Sequence, residues 1–131
     1  MKLTVPFYLN KAGAGFPSPA TDYIEEDIDL NTHLIKNVPA TFVIRVQGKS
    51  MTDIGINDGD LLVVDKSLNP KNFSTVIANF HDELVVKSFV KEEGKKFLTS
   101  GSKKFEDRIL INEEEDIFIW GVVTYVIHAA Y

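Results

Sequence analysis

Residues 75–90 read T-V-I-A-N-F-H-D-E-L-V-V-K-S-F-V. Two apolar, β-branched runs flank a pair of polar residues, His81 and Asp82. Runs of this length and composition read as strands. A two-residue link between them predicts an antiparallel hairpin. The same kind of run recurs on either side, from Ala40 onward: A-T-F-V-I-R-V-Q, L-L-V-V-D, K-F-L-T-S, R-I-L-I and I-F-I-W-G-V-V-T-Y-V-I-H. The turn signals N-D-G-D, N-P-K-N, E-E-G-K and N-E-E-E-D separate them. The pattern predicts a mainly β fold over residues 39–131. It is a single compact domain of short, mostly antiparallel strands, arranged as a sandwich or barrel. The last run is too long for a simple strand, so Gly121 marks a bulge or bend.

Residues 1–38 are punctuated differently. Pro6, Gly13, Gly15, Pro17 and Pro19 leave no room for long regular structure. The expectation is a flexible, extended N-terminal arm. One helical turn is expected near Asn31 to Lys36, with Leu30, Leu34 and Ile35 on one side.

Composition narrows the function. The chain has 131 residues, 44% hydrophobic and 25% charged, which suits one soluble domain with a core of its own. It has no cysteine, hence no disulfide, thiolate metal site or cysteine nucleophile, and this is compatible with a reducing cytoplasm. A net charge of −5 gives no general attraction to nucleic acid, so direct sequence-specific DNA binding is not expected. The apolar part of the N-terminus is short and broken by Pro6 and Asn10, unlike a signal peptide. No run is long enough to span a membrane.

Few residues offer chemistry. His33, His81 and His128 are scattered, with no metal-ligand spacing, and read as surface or strand-end residues. The acidic run Glu113 to Asp116 reads as a solvated loop. The glycines form no phosphate-binding pattern. Neither a cofactor nor a metal is therefore expected. Ser50 and Lys87 remain. Ser50 lies in G-K-S-M-T-D-I-G-I-N-D-G-D, residues 48–60, between two strands. Alternation places Lys87 on one face with Val85 and Phe89. Periodicity alone is satisfied by an edge-strand lysine reaching for water and a turn serine bonding its own backbone. Together the two residues also make a nucleophile and its base. A serine hydroxyl needs a base to take its proton. Burial depresses a lysine from its usual pKa of ~10.4 by up to ~3–5 units, into working range.

V-Q-G-K-S-M-T-D with G-I-N-D-G-D-L-L-V-V-D resembles the nucleophile turn of the LexA/UmuD family of self-cleaving proteins. V-V-K-S-F resembles the segment that carries that family's lysine, 87 − 50 = 37 residues later. A-G-F-P-S-P-A-T-D-Y-I-E-E-D-I-D-L-N resembles the region around its cleavage site, and W-G-V-V-T-Y-V-I-H-A its last strand. The resemblance covers about Ala14 to Ala130. It implies Ser50 as nucleophile, Lys87 as general base and Ala14-Gly15 as the scissile bond. Backbone amides near Ser50 and Met51 would hold the oxyanion or position the substrate. It also implies a cytoplasmic homodimer of the SOS DNA-damage response. Self-cleavage would be stimulated by a RecA–single-stranded DNA filament. The product would serve a UmuC-type translesion polymerase as an accessory subunit. The 14 residues before the cut are too few for a DNA-binding domain, which favours the accessory role over a repressor. The alternative is a binding module of the same fold without useful catalysis. The chain departs from the family's pattern in three places. A lysine precedes Ser50, the leader is short, and K-F-L-T-S-G-S-K-K-F replaces a proline-and-asparagine segment near the family's active site.

Overall fold

The computed structural model describes residues 3–8, 24–101 and 108–131. The chain divides into two compact units, residues 1–36 and 37–131.

In the first unit, strand β1 (Val5–Tyr8) pairs antiparallel with β2 (Ile24–Ile28), Val5 facing Ile28 and Phe7 facing Glu26. This ribbon was not legible in the sequence, where Pro6 argues against a strand. A two-stranded ribbon leaves one edge of each strand unpaired, and a proline is tolerated there. A short helix, α1 (Leu30–Leu34), follows. It starts one residue before the expected turn and ends two residues short of it. The Asp29 carboxylate caps it, accepting from the backbone N–H of Asn31 at 3.1 Å. Ile35 is already extended. The expected scissile residues Ala14 and Gly15 lie outside the described residues.

Among the described residues, the second unit holds seven strands: β3 (Thr41–Arg45), β4 (Leu61–Asp65), β5 (Thr75–Phe80), β6 (Glu83–Glu92), β7 (Lys95–Thr99), β8 (Ile109–Leu110) and β9 (Ile117–Ile127). They form one sheet in the order β3-β4-β9-β5-β6-β7-β8, and every pairing is antiparallel. The mainly β, antiparallel class expected from the runs is the class observed. The hairpin is also as expected. His81 and Asp82 link β5 to β6, both with positive φ (50° and 69°), as a two-residue primed turn requires.

The strands read as apolar on both faces because the sheet carries core on both. One cluster holds Val46, Met51, Ile56, Leu62, Val64 and Ile77; the other holds Val76, Ala78, Phe89, Leu98, Ile117 and Val122. Strand alternation sends Ile77 to the first cluster and its neighbours Val76 and Ala78 to the second.

Strand β9 runs through the middle of the sheet. It bends at two bulges. Against β5, Ile119 faces Ala78 and Gly121 faces Ile77, leaving Trp120 extra. Against β4, Val123 faces Val64 and Tyr125 faces Val63, leaving Thr124 extra. The bend expected at Gly121 is the first of these. A Cβ on Gly121 would meet Val64 Cγ1 at 2.6 Å, so only glycine lets β9 lie this close to β4. Strand β9 therefore joins a β3–β4 half of the sheet to a β5–β8 half.

Candidate active site

The Gly48–Asp60 turn connects β3 to β4. Backbone bonds Val46 N–H to Asp60 O (2.8 Å) and Gly59 N–H to Val46 O (2.9 Å) extend the ladder by one step. The loop beyond is tied down from within. The Asp58 carboxylate accepts from the Gly48 N–H at 2.8 Å. Met51 O accepts from both Ile54 N–H and Ile56 N–H at 3.2 Å. Gly55, at φ 85°, closes the 3-10 turn Thr52–Ile54.

Met51 and Ile56 are each only 2% exposed and sit in the first core cluster. The methionine after the serine is thus an anchor. Its side chain plugs the core while its neighbour Ser50 stays exposed at the rim. The final aspartate of the turn is a second anchor. Asp60 is buried, accepts from the Asn57 N–H at 2.8 Å, and pairs with His128 Nδ1 at 2.6 Å. The Asn57 N–H, and after it the His128 ring, hold the Asp60 carboxyl below the usual carboxylate range. His128, read from sequence as a plain strand-end residue, therefore pins the end of β9 to this turn.

Lys87 is half-buried on β6, opposite Val76 of β5. On the same strand, Val85 and Phe89 pack with the second cluster and Val86 with the first. Lys87 Nζ donates to Ser100 Oγ at 2.7 Å. Ser100 follows β7, inside K-F-L-T-S-G-S-K-K-F, the stretch read from sequence as a departure. Nothing in the sequence singled it out.

The structure brings Ser50 and Lys87 to one groove. Residues 44–48, Ser50 and Met51 line one side; residues 84–87 and the buried Ile77 complete it. The described residues of β6 from Glu83 to Lys87 pair only with β5, because β7 ends at Thr99, opposite Ser88. Among the described residues, no other strand pairs with that stretch. The groove thus has a hydroxyl on one side, and an amine and a strand edge on the other. Such an edge takes an extended peptide as an added strand.

The other expectations fall elsewhere. His33 is on α1 and His81 in the hairpin turn. Glu113 to Glu115 form an exposed 3-10 turn capped by Asn112. Among the described residues, no three His, Asp or Glu side chains are grouped to hold a metal ion, and no helix is long and apolar enough to cross a membrane.

Comparison with known proteins places the chain in a family. Residues 6–124 match the family described as Peptidase S24-like. The chain is 43% identical over 123 residues to the protein ImpA of Shigella flexneri, covering 94% of this chain and 83% of that one. It is 39% identical over 122 residues to the protein MucA of Salmonella typhimurium, covering 93% and 83%. It is 35% identical over 119 residues to the LexA repressor of Providencia rettgeri, covering 91% of this chain and 58% of the repressor. With a family match across residues 6–124 and relatives about 40% identical over most of its length, the chain belongs to the Peptidase S24-like family, the LexA/UmuD type of serine peptidase.

Proposed function

We propose that this protein is a self-cleaving serine peptidase that cuts its own Ala14-Gly15 bond with a Ser50–Lys87 dyad. The observation that carries the reading is the shared groove: an exposed serine and a half-buried lysine, from opposite halves of the sheet, beside a strand edge.

The chemistry follows from the groups. Neutral Lys87 takes the Ser50 proton as Oγ attacks the Ala14 carbonyl carbon. Backbone N–H groups at Ser50 and Met51 stabilise the oxyanion as it develops. The Lys87 ammonium then returns the proton to the Gly15 nitrogen, and the C–N bond breaks. Water, deprotonated by Lys87, hydrolyses the Ala14 ester and frees Ser50. The Gly13-Ala14-Gly15 run suits this, because small residues let a backbone lie close against the strand. No metal and no cofactor enters any step.

By analogy with MucA, ImpA and the LexA repressor, we place the protein in the cytoplasmic SOS DNA-damage response. A RecA–single-stranded DNA filament would stimulate the cut. The shortened homodimer, residues 15–131, would support a UmuC-type translesion polymerase.

Intact mass against time tests the cleavage. Purified protein at neutral and mildly alkaline pH should release a fragment starting at Gly15, faster at the higher pH. Ser50→Ala and Lys87→Ala should each slow this by on the order of 10³-fold or more. No fragment at any pH, with or without a RecA filament, would leave a binding module of the same fold instead.

A further inference from the structure

We propose that Ser100 is a positioning residue of this protein: its hydroxyl fixes the Lys87 amine in the groove it shares with Ser50. The inference rests on the Ser50–Lys87 reading and adds to it a residue that neither periodicity nor family resemblance supplies.

Three observations carry it. Lys87 Nζ lies 2.7 Å from Ser100 Oγ, a full-strength hydrogen bond. A lysine ends four rotatable bonds from its backbone. Unless something holds the amine, it samples many positions, and a general base must sit within hydrogen-bond reach of its proton. Second, Ser100 is itself held. Thr99, buried before it, donates its Oγ1–H to Gly101 O at 3.0 Å. Gly101, after it, is buried with φ 83°. The tripeptide is thus a fixed corner at the end of β7. Third, that corner abuts the Ser50 turn. A Cβ added to Gly101 would collide with the Asp53 carboxylate, three residues from Ser50. The turn that presents the nucleophile and the corner that aims the base therefore touch.

The bond also has a direction. Ser100 Oγ accepts from the lysine, and an acceptor favours the charged form over the neutral one. Among the described residues, the charged groups at this groove include Arg45, which lines it and donates to Gly59 O at 2.9 Å, Lys49 beside Ser50, Asp58, which accepts from the Gly48 N–H at 2.8 Å, and Asp53, against Gly101. Removing the hydroxyl leaves all of them in place. Loss of Ser100 should thus do two separable things. It should lower the limiting rate at high pH by roughly 10-fold, because the amine loses one of the bonds that aim it. It should move the rising limb of the pH–rate profile down by about half to one pH unit, because the ammonium loses an acceptor.

The experiment is the self-cleavage rate of full-length protein across pH 6–11 for wild type, Ser100→Ala, Ser100→Thr and Ser50→Ala. The expected result is a lower plateau and a shifted limb for Ser100→Ala, both restored by Ser100→Thr, with Ser50→Ala inactive. An unchanged profile in Ser100→Ala, or a lower plateau with an unmoved limb, overturns the positioning role and leaves the dyad standing. Cleavage abolished in Ser100→Ala but retained in Ser50→Ala overturns both, and makes Ser100 the nucleophile. No cleavage in wild type at any pH removes the reading on which the proposal rests.

Discussion

Replacing Gly121 with alanine tests the packing that joins the two halves of the sheet. The new Cβ would stand 2.6 Å from Val64 Cγ1, 3.4 Å from Lys66 Cγ and 3.6 Å from Asp65 O. Carbon atoms in contact prefer ~3.5–4.0 Å, so the first approach is about 1 Å too close. Val64 has no exposed surface and packs among Leu62 and Ile77, so it has nowhere to turn. Overpacking of this kind costs about 1–3 kcal/mol. Against it stands the ~0.5–1 kcal/mol that alanine gains over glycine within a strand. The clash wins, for a net loss of about 1–2 kcal/mol. At a urea slope of ~1–3 kcal/mol per molar, the unfolding midpoint should fall by roughly 0.3–2 M. Trp120, the chain's single tryptophan, reports unfolding from the adjacent position. Val64→Ala provides the control. Alone it opens a cavity, but combined with Gly121→Ala it removes the obstructing methyl. The double variant should be less destabilised than the two single losses added, by about 1 kcal/mol or more. A Gly121→Ala protein as stable as wild type, or strictly additive losses, would refute the close approach of β9 to β4.

Two further outcomes follow from the serine turn. Met51→Ala should cost about 2–5 kcal/mol in urea unfolding, whereas the volume-conserving Met51→Leu should cost less than about 1.5 kcal/mol and keep the fold; equal losses would mean that Met51 is not a core anchor. The Asp60 carboxyl is depressed in the folded protein, so its contribution is present above the unfolded-state value of ~3.9 and is lost as pH falls through the lower folded value. Urea midpoints measured from neutral pH down to about pH 2 should fall at the acid end, and Asp60→Asn should flatten that fall. His128→Ala, which removes one of the two stabilising donors, should move it to higher pH; an identical acid limb in all three proteins would exclude the pairing.

The sheet was legible because its strands are apolar on both faces and bounded by turn residues. The His81-Asp82 turn and the bend at Gly121 were legible for the same local reason: each is set by a few adjacent residues. What escaped was long-range. Nothing local tells Pro6 that a strand 18 or more residues away will pair with it. Asp60 and His128 are 68 positions apart, and each looks ordinary until β9 lies beside β4. For the candidate site, Ser50 and Lys87 stood out through family resemblance, since periodicity alone favoured a turn serine and an edge lysine. Ser100 did not stand out. Its significance comes from the corner after β7 folding back to Lys87, 13 residues earlier, and a lone serine in T-S-G-S-K carries no sign of that.

The central place of β9 also has a consequence for biosynthesis. The serine turn belongs to the β3–β4 half and the lysine strand to the β5–β8 half, and among the described residues the ladder of paired strands joins them through residues 117–127. While the chain is being made, both halves can exist without the groove. Pairings between residues so distant in sequence form late and slowly. A ribosome-bound chain that lacks the last strand therefore has no assembled groove, and it exposes the inner edges of β4 and β5 as sticky surfaces. On the proposed reading, translation itself acts as a safety catch: the groove cannot act on the N-terminal segment until that segment and nearly all that follows it have left the ribosome.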